Sequence, residues 1–216
     1  MPTTSYWLDE PAEARPSAEI AGRADVAVVG GGITGCSCAL ALAEAGLKVR
    51  LFEEREIAGG ASGRNGGFAL RGGAAPYPVL ADSIGEEAAS ALWRWTEEEL
   101  VVLAARAGDA FRATGSLRLA VDDEERGELR DEYDALRAAG LAAEWREDLP
   151  PPLAGRYPAA LFHPPDGVLQ PARLVRRLAA HAAGAGVEIH ESTRVGSREA
   201  AGAATVAVAT AGSPSG

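Results

Sequence analysis

A chain of 216 residues with 47% hydrophobic and 24% charged side chains has the composition of a globular protein able to bury a sizeable core, which excludes a disordered tail or linker. Its formal net charge of -10 excludes nucleic acid and anionic lipid as main partners, because both need clustered cations. No apolar run approaches the roughly 18 residues of a membrane span and no basic head precedes an apolar run at the N-terminus, so a soluble, cytoplasmic protein is expected.

Residues 1–24 hold Pro2, Pro11 and Pro16 among scattered acids without periodicity. They read as an irregular arm in which only Tyr6, Trp7 and Leu8 are suited to docking. From Asp25 the texture changes. Val26-Ala27-Val28-Val29 is a buried-strand run, Ile33 to Ala45 is rich in helix formers, Gly46 stops that helix, and Val49 to Phe52 is a second strand. This is a βαβ unit, whose parallel strands imply a sheet covered on both faces. Cys36 and Cys38 lie two positions apart on its helix and would point about 200° from each other, so they read as small core residues of a reduced protein and not as a disulfide.

After a glycine-rich stretch from Gly59 to Gly73, Ser83 with Glu86 reads as a capping box. It would open a long surface helix carrying Leu92, Leu100, Leu103 and Ala107 up to Gly108. Ser116 to Ala120 alternates as a half-buried strand does, and Asp122 caps a helix with Leu129, Tyr133 and Leu136 on one face, ended by Gly140. Trp145 and the Leu161-Phe162 pair lie in further strands, separated by the turn-rich Pro150-Pro151-Pro152. Pro171 sits well in the first turn of a helix to Ala183, with Gly184 and Gly186 as its stop; Val187 to His190 and Thr205 to Thr210 are the last strands. Trp93 and Trp95 read as packing residues and Glu97-Glu98-Glu99 as a solvated face. His163, His181 and His190 have neither cysteine partners nor metal-ligand spacing, so no metal site is expected.

The chemistry concentrates in two segments. Gly30-Gly31-Gly32-Ile33-Thr34-Gly35 is a GxGxxG motif placed directly after one strand and opening a helix. Gly30 permits the tight turn, Gly32 lets the backbone approach a pyrophosphate, and Gly35 lets helix and strand pack closely. The free N–H groups and positive dipole end of the helix suit the pyrophosphate itself. Glu53, followed by Glu54, ends the second strand where an acid accepts hydrogen bonds from a ribose diol. NAD and FAD sites share this fingerprint. The second segment, Gly59 to Phe68, is too glycine-rich for an ordinary loop; it suits backbone passing close to a large flat ligand, or else a flexible linker.

The fingerprint, the loop Ala61-Ser62-Gly63-Arg64-Asn65-Gly66-Gly67, the segment Thr114-Gly115-Ser116-Leu117 and the segment Gln170-Pro171-Ala172-Arg173-Leu174 occur in the order seen in the D-amino-acid oxidase, glycine oxidase and sarcosine oxidase superfamily. The chain resembles that superfamily over almost all of its length after Asp25. Ser5-Tyr6-Trp7-Leu8-Asp9 and the Arg-Asn-Gly-Gly loop look most like the branch that includes gamma-glutamylputrescine oxidoreductases. The resemblance implies FAD as cofactor, with Ala61, Ser62, Arg64, Asn65, Gly66 and Gly67 lining it and the backbone of Val195 meeting the adenine. It implies oxidation of the C–N bond of a small amine or amino acid, by transfer of a hydride equivalent to the flavin, to an imine that hydrolyses.

The expected fold is therefore α/β. An irregular arm (1–19) precedes a Rossmann-like FAD-binding domain (20–67 and 168–216), into which an α+β portion of a substrate domain (68–167) is inserted. In the family, a strand like Thr205 to Thr210 belongs to a β-meander leading to a further strand and an Ala-Thr-Gly-type turn. The chain is thus expected to be C-terminally truncated, with an unfinished sheet open to self-association. The alternative, that Ala209-Thr210-Ala211-Gly212 is that turn, requires an unusually short connection from Val195. Two other functions stay open: a truncated, inactive nucleotide-binding remnant, and an NAD-dependent oxidoreductase. No residue stands out as a catalytic acid or base.

Overall fold

A computed structural model describes residues 4–12, 20, 22–196 and 203–209. Its strands and α-helices run, in chain order, β1 (Ala24–Val29), α1 (Ile33–Glu44), β2 (Val49–Phe52), β3 (Phe68–Ala69), α2 (Tyr77–Ile84), α3 (Glu86–Ala107), β4 (Phe111–Arg112) and β5 (Ser116–Leu119). They continue with α4 (Asp123–Ala138), β6 (Glu144–Arg146), β7 (Ala160–His163), β8 (Gly167–Leu169), α5 (Pro171–Gly184), β9 (Glu188–His190) and β10 (Ala203–Val208). The chain divides into two compact units, Met1–Gly67 with Gln170–Gly216, and Phe68–Leu169.

The first unit is built on a four-stranded sheet in the order β10-β1-β2-β9, parallel throughout. Parallel strands need both faces covered, and β2 is buried along its whole length. Two helices pack on each other here. α1 buries the small residues Gly35, Cys36 and Ala39 with Leu40, and α5 turns Leu174, Val175, Leu178 and Ala182 inward. Neither cysteine is in a disulfide; Cys36 is buried and Cys38 half-buried. Buried Arg50 pairs with Glu188 across the β2–β9 seam at 2.6 Å. Beside them the Phe52 and His190 rings stack at 5.3 Å.

The placement of β10 corrects the sequence-based expectation. Instead of entering a meander, the strand lies parallel to β1, with Val26 opposite Thr205 and Val29 opposite Val208. The Ala209 N–H extends the pairing by donating to the Val29 carbonyl at 2.8 Å. The reason is the open edge of β1: β2 pairs with only one side of it, and an unpaired row of backbone groups is costly. Val206 and Ala203 add apolar cover over Ala27 and Phe52. Of the turn Ala209 to Gly212, residues 210–212 lie outside the described residues.

The second unit holds two antiparallel sheets, β3-β8-β4 and β5-β7-β6, and the helices α2, α3 and α4. Val168 and Leu169, assigned by sequence to the flavin-binding part, pair in β8 inside this unit. Its core gathers Tyr77, Trp93, Leu129, Leu136 and Leu161. The capping box expected at Ser83 is absent: Ser83 lies within α2, and the residue before α3 is Gly85 at φ 90°. Asp122 does cap α4, its carboxylate accepting from the Glu125 N–H at 2.9 Å while Glu125 accepts from the Val121 N–H.

Trp93 and Trp95 part company. Trp93 is buried and Trp95 is exposed, because residues two apart on a helix point about 200° away from each other. Glu97 is more than a solvated acid, since it pairs at 2.6 Å with the buried Arg71. The same guanidinium lies over the Trp93 ring, donates to the Ala142 carbonyl and reaches the His163 ring. Asp166 closes this buried network, accepting from the Arg71 N–H at 3.0 Å and the Ser116 hydroxyl at 2.6 Å. Among the described residues no helix is long and apolar enough to cross a membrane.

Candidate functional site

In a parallel sheet all carboxyl ends face one edge, and ligands of such sheets lie in the crevice outside that edge. The segments singled out in the sequence leave the sheet there: Gly30 follows β1, Glu53 follows β2, and the stretch to Val195 follows β9. Gly30 sits at φ 114°, a conformation open to glycine and strained for other residues. This φ lets the chain turn from β1 into α1 in the few residues that the motif allows. A Cβ on Gly35 would stand 1.8 Å from the Gly30 carbonyl oxygen, so helix and strand backbones meet with no room for a side chain. Gly32 is the N-cap of α1 and supplies no capping side chain. The Ile33 N–H donates instead to the Ser62 hydroxyl at 3.0 Å. Ile33 and Thr34 are both exposed at this helix end.

Glu53 has a task that the sequence did not reveal. One carboxylate oxygen accepts from the Gly31 N–H at 2.7 Å and the other from the Arg55 N–H at 2.8 Å, so the acid holds the glycine turn against the end of β2. An ionised carboxylate has about four acceptor sites, and two N–H groups leave capacity for a further pair of hydroxyls. Neighbouring Glu54 is exposed. The chain after β9 runs back along this segment: Ser192 donates to the Arg55 carbonyl, Thr193 to the Glu53 carbonyl, and the Glu191 carboxylate accepts from the Ile57 N–H at 2.6 Å. Val195 packs on the Ala27–Phe52 cluster.

The glycine-rich loop is an ordered structure and not a loose linker. Ala61–Gly63 form a 3₁₀ turn. The Asn65 amide donates to the carbonyls of Ala61 and Ser62 at 3.2 and 3.0 Å, and its oxygen accepts from the Gly67 N–H at 2.9 Å. Arg64 reaches the Gly59 carbonyl at 3.2 Å. Ala61, Arg64, Asn65 and Gly66 are exposed, while Gly67 is buried. The N-terminal segment docks here: Ser5 donates to the Gly63 carbonyl at 2.8 Å and the Trp7 indole to the Asn65 carbonyl at 2.7 Å. Sequence reasoning named Trp7 as a docking residue without a target and missed Ser5, whose small polar side chain carries no periodic signal.

These features suit a dinucleotide. A helix N-terminus with its dipole matches an anionic pyrophosphate. The Ser62 hydroxyl lies close against Gly32, where a Cβ would stand 2.9 Å from it, and the half-buried acid Glu53 nearby suits a ribose diol.

Comparison with known proteins extends this geometry to a family. The family model described as DAO, FAD dependent oxidoreductase, matches residues 25–215. The chain is 36% identical over 114 residues to the gamma-glutamylputrescine oxidoreductase of Escherichia coli, covering 51% of this chain and 27% of that protein. The crystal structure of glycine oxidase from Geobacillus kaustophilus superposes with a TM-score of 0.61 at 30% identity, over 81% of this chain and 48% of that one. The L-amino acid deaminase from Proteus vulgaris, at 23% identity and a TM-score of 0.68, shares the fold over 92% of this chain and 50% of that one. The chain thus spans about half or less of the length of these relatives. The family depends on FAD, which decides the cofactor that the fingerprint alone left open between FAD and NAD. The chain belongs to the DAO family of FAD-dependent oxidoreductases.

Proposed function

We propose that the crevice at the carboxyl edge of the parallel sheet holds FAD. In this reading the Gly30–Gly35 turn, with Gly31, Gly32, Ile33 and Thr34, takes the pyrophosphate. Glu53 takes the adenosine ribose, with Glu54 beside it. The loop residues Ala61, Ser62, Arg64, Asn65, Gly66 and Gly67 line the cofactor, and the Val195 backbone meets the adenine. The observation that carries the reading is the convergence of two separate segments on one helix end: Glu53 on Gly31 at 2.7 Å and Ser62 on Ile33 at 3.0 Å, around the start of α1.

The reaction is the oxidation of a C–N bond in a small amine or amino acid. The relatives named gamma-glutamylputrescine oxidoreductase and glycine oxidase support that substrate class. FAD held by these residues would supply the two-electron acceptance that converts the amine to an imine, which water then hydrolyses. The residues of this chain bind the nucleotide, fix its orientation through backbone donors and keep the loop ordered. The second unit, Phe68–Leu169, is read as part of the substrate side.

The test is the visible spectrum of the purified chain, recorded before and after addition of an amine or amino acid without oxygen. A flavin spectrum that bleaches with substrate is expected. A protein that takes up NAD and no FAD would overturn the cofactor site, and a loaded protein bleached by none of glycine, sarcosine, D-amino acids or glutamylated putrescine would overturn the substrate class.

A further inference from the structure

Three segments far apart in the chain meet in one place: the N-terminal Ser5-Tyr6-Trp7-Leu8-Asp9, the loop at Ala61–Gly67 and the Gln170-Pro171-Ala172-Arg173 start of α5. We propose that residues 5–10 form a strap that positions the cofactor loop from α5, with Trp7 as its principal positioning residue. The proposal rests on the reading of that loop as the lining of the FAD site.

The strap is anchored at a rigid place. The first turn of α5 buries Pro171, Ala172 and Leu174. The Gln170 side chain works in two directions: its oxygen caps α5 by accepting from the Arg173 N–H at 2.8 Å, and its nitrogen donates to the Trp7 carbonyl at 3.0 Å. Arg173 grips the Glu10 carboxylate through two of its nitrogens, Nε at 3.1 Å, and Arg176 donates to the Glu10 carbonyl at 3.0 Å. The Arg173 hydrogen bond also holds the Glu10 carboxyl below its ordinary pKa, which keeps the grip charged. Four hydrogen bonds thus fix the backbone of the strap and its acid to one helix.

From that anchor the strap reaches the loop. The bonds within the loop shape its turn but do not fix it to the rest of the unit, and its glycines make ordering costly in conformational entropy. The Trp7 indole N–H holds the Asn65 carbonyl at 2.7 Å, and the Ser5 hydroxyl holds that of Gly63 at 2.8 Å. Leu8 packs so closely that a Cβ on Gly63 would come within 2.8 Å of it. Asn65 is the residue whose side chain bonds Ala61, Ser62 and Gly67, and the Ser62 hydroxyl accepts from Ile33 at the start of α1. A connected path therefore runs from α5 through Trp7 and the loop to the fingerprint helix.

The experiment compares the full chain with Trp7→Phe, which keeps an aromatic ring but removes the donor, with Ser5→Ala/Trp7→Phe, and with Glu10→Gln, which loosens the anchor without touching the loop. Two quantities are read: hydrogen exchange of the 59–67 segment without flavin, and FAD binding by titration together with the visible spectrum of the bound flavin. Faster exchange in this segment is expected in all three variants, with exchange of β1 and β2 unchanged. Losing one neutral hydrogen bond should weaken FAD binding about threefold to tenfold in Trp7→Phe and more in the double variant, with a shifted flavin spectrum. Wild-type exchange in the double variant would overturn the strap. Faster exchange with unchanged affinity and spectrum would overturn it equally, because the strap would then hold a loop that the cofactor does not need. If the wild-type chain takes up no FAD, the functional reading fails, while the exchange data still decide whether strap and loop are coupled.

Discussion

Glu53 and Gly35 show how single residues at this site combine folding with binding. Glu53 satisfies the Gly31 and Arg55 N–H groups, so Glu53→Ala removes more than a contact to a ribose. It is expected to weaken FAD by roughly tenfold to a hundredfold and also to destabilise the flavin-free chain by about 1–3 kcal/mol, read from urea midpoints, because two backbone donors lose a charged acceptor. Glu53→Gln, which keeps one acceptor oxygen, should recover part of the stability and less of the affinity. The two glycines divide along the same line. In Gly35→Ala the new methyl has a backbone oxygen 1.8 Å away that cannot rotate aside, so a loss of at least about 1–3 kcal/mol is expected in the same measurement. In Gly32→Val the nearest atom is the Ser62 hydroxyl, which can turn away; the chain should fold, and its flavin content should be lost. The residue types and spacing of the fingerprint were readable because each glycine answers a backbone requirement within a few positions. The structural duty of Glu53 was not, because a carboxylate reaching back to a turn leaves no periodic trace.

Among the elements, helix caps separate what local sequence decides from what it does not. Asp122 with Glu125 and Ser83 with Glu86 share one pattern, yet only Asp122 caps a helix. The difference lies upstream: Tyr77-Pro78 starts α2, so Ser83 falls in a running helix and Gly85 makes the break. Asp122→Ala should cost about 1 kcal/mol in urea unfolding, and Ser83→Ala should cost almost nothing. The strand at Ala203–Val208 was readable as a strand from its alternation, but its partner was not, because an alternating run fits a parallel edge and an antiparallel meander alike. The buried network of the second unit was invisible for a related reason: Arg71, His163 and Asp166 are far apart in sequence and individually ordinary. Burial, with the charges of Arg71 and Arg118 nearby, pushes the His163 pKa down to about 4, against an opposing pull from Asp166. Below its ordinary value of 6.5 the unfolded chain takes up a proton that the folded chain refuses until pH approaches 4. Stability is therefore expected to fall through that window as pH drops, on the order of a few kcal/mol. Urea midpoints across the range should show a shallower slope in His163→Gln.

At the scale of the whole chain, β3 and β8 are the first and last strands of the second unit, and they are hydrogen-bonded neighbours, Phe68 opposite Val168 and Ala69 opposite Gly167. The polypeptide therefore departs after Gly67 and returns at Gln170 from almost the same point. To the parallel sheet, an excursion of some hundred residues has the reach of a short turn once this two-strand stalk has zipped. Closing a floppy loop of that size would cost about 3 kcal/mol more than closing one of a few residues. Assembly order becomes a thermodynamic matter: the excursion must condense first for β2 and α5 to find each other at low entropic cost. A core truncation confined to the excursion, such as Leu161→Ala, should then slow the refolding of a sheet to which Leu161 does not belong. By the same geometry the excursion behaves as a cassette, exchangeable for another insert whose two ends lie equally close together.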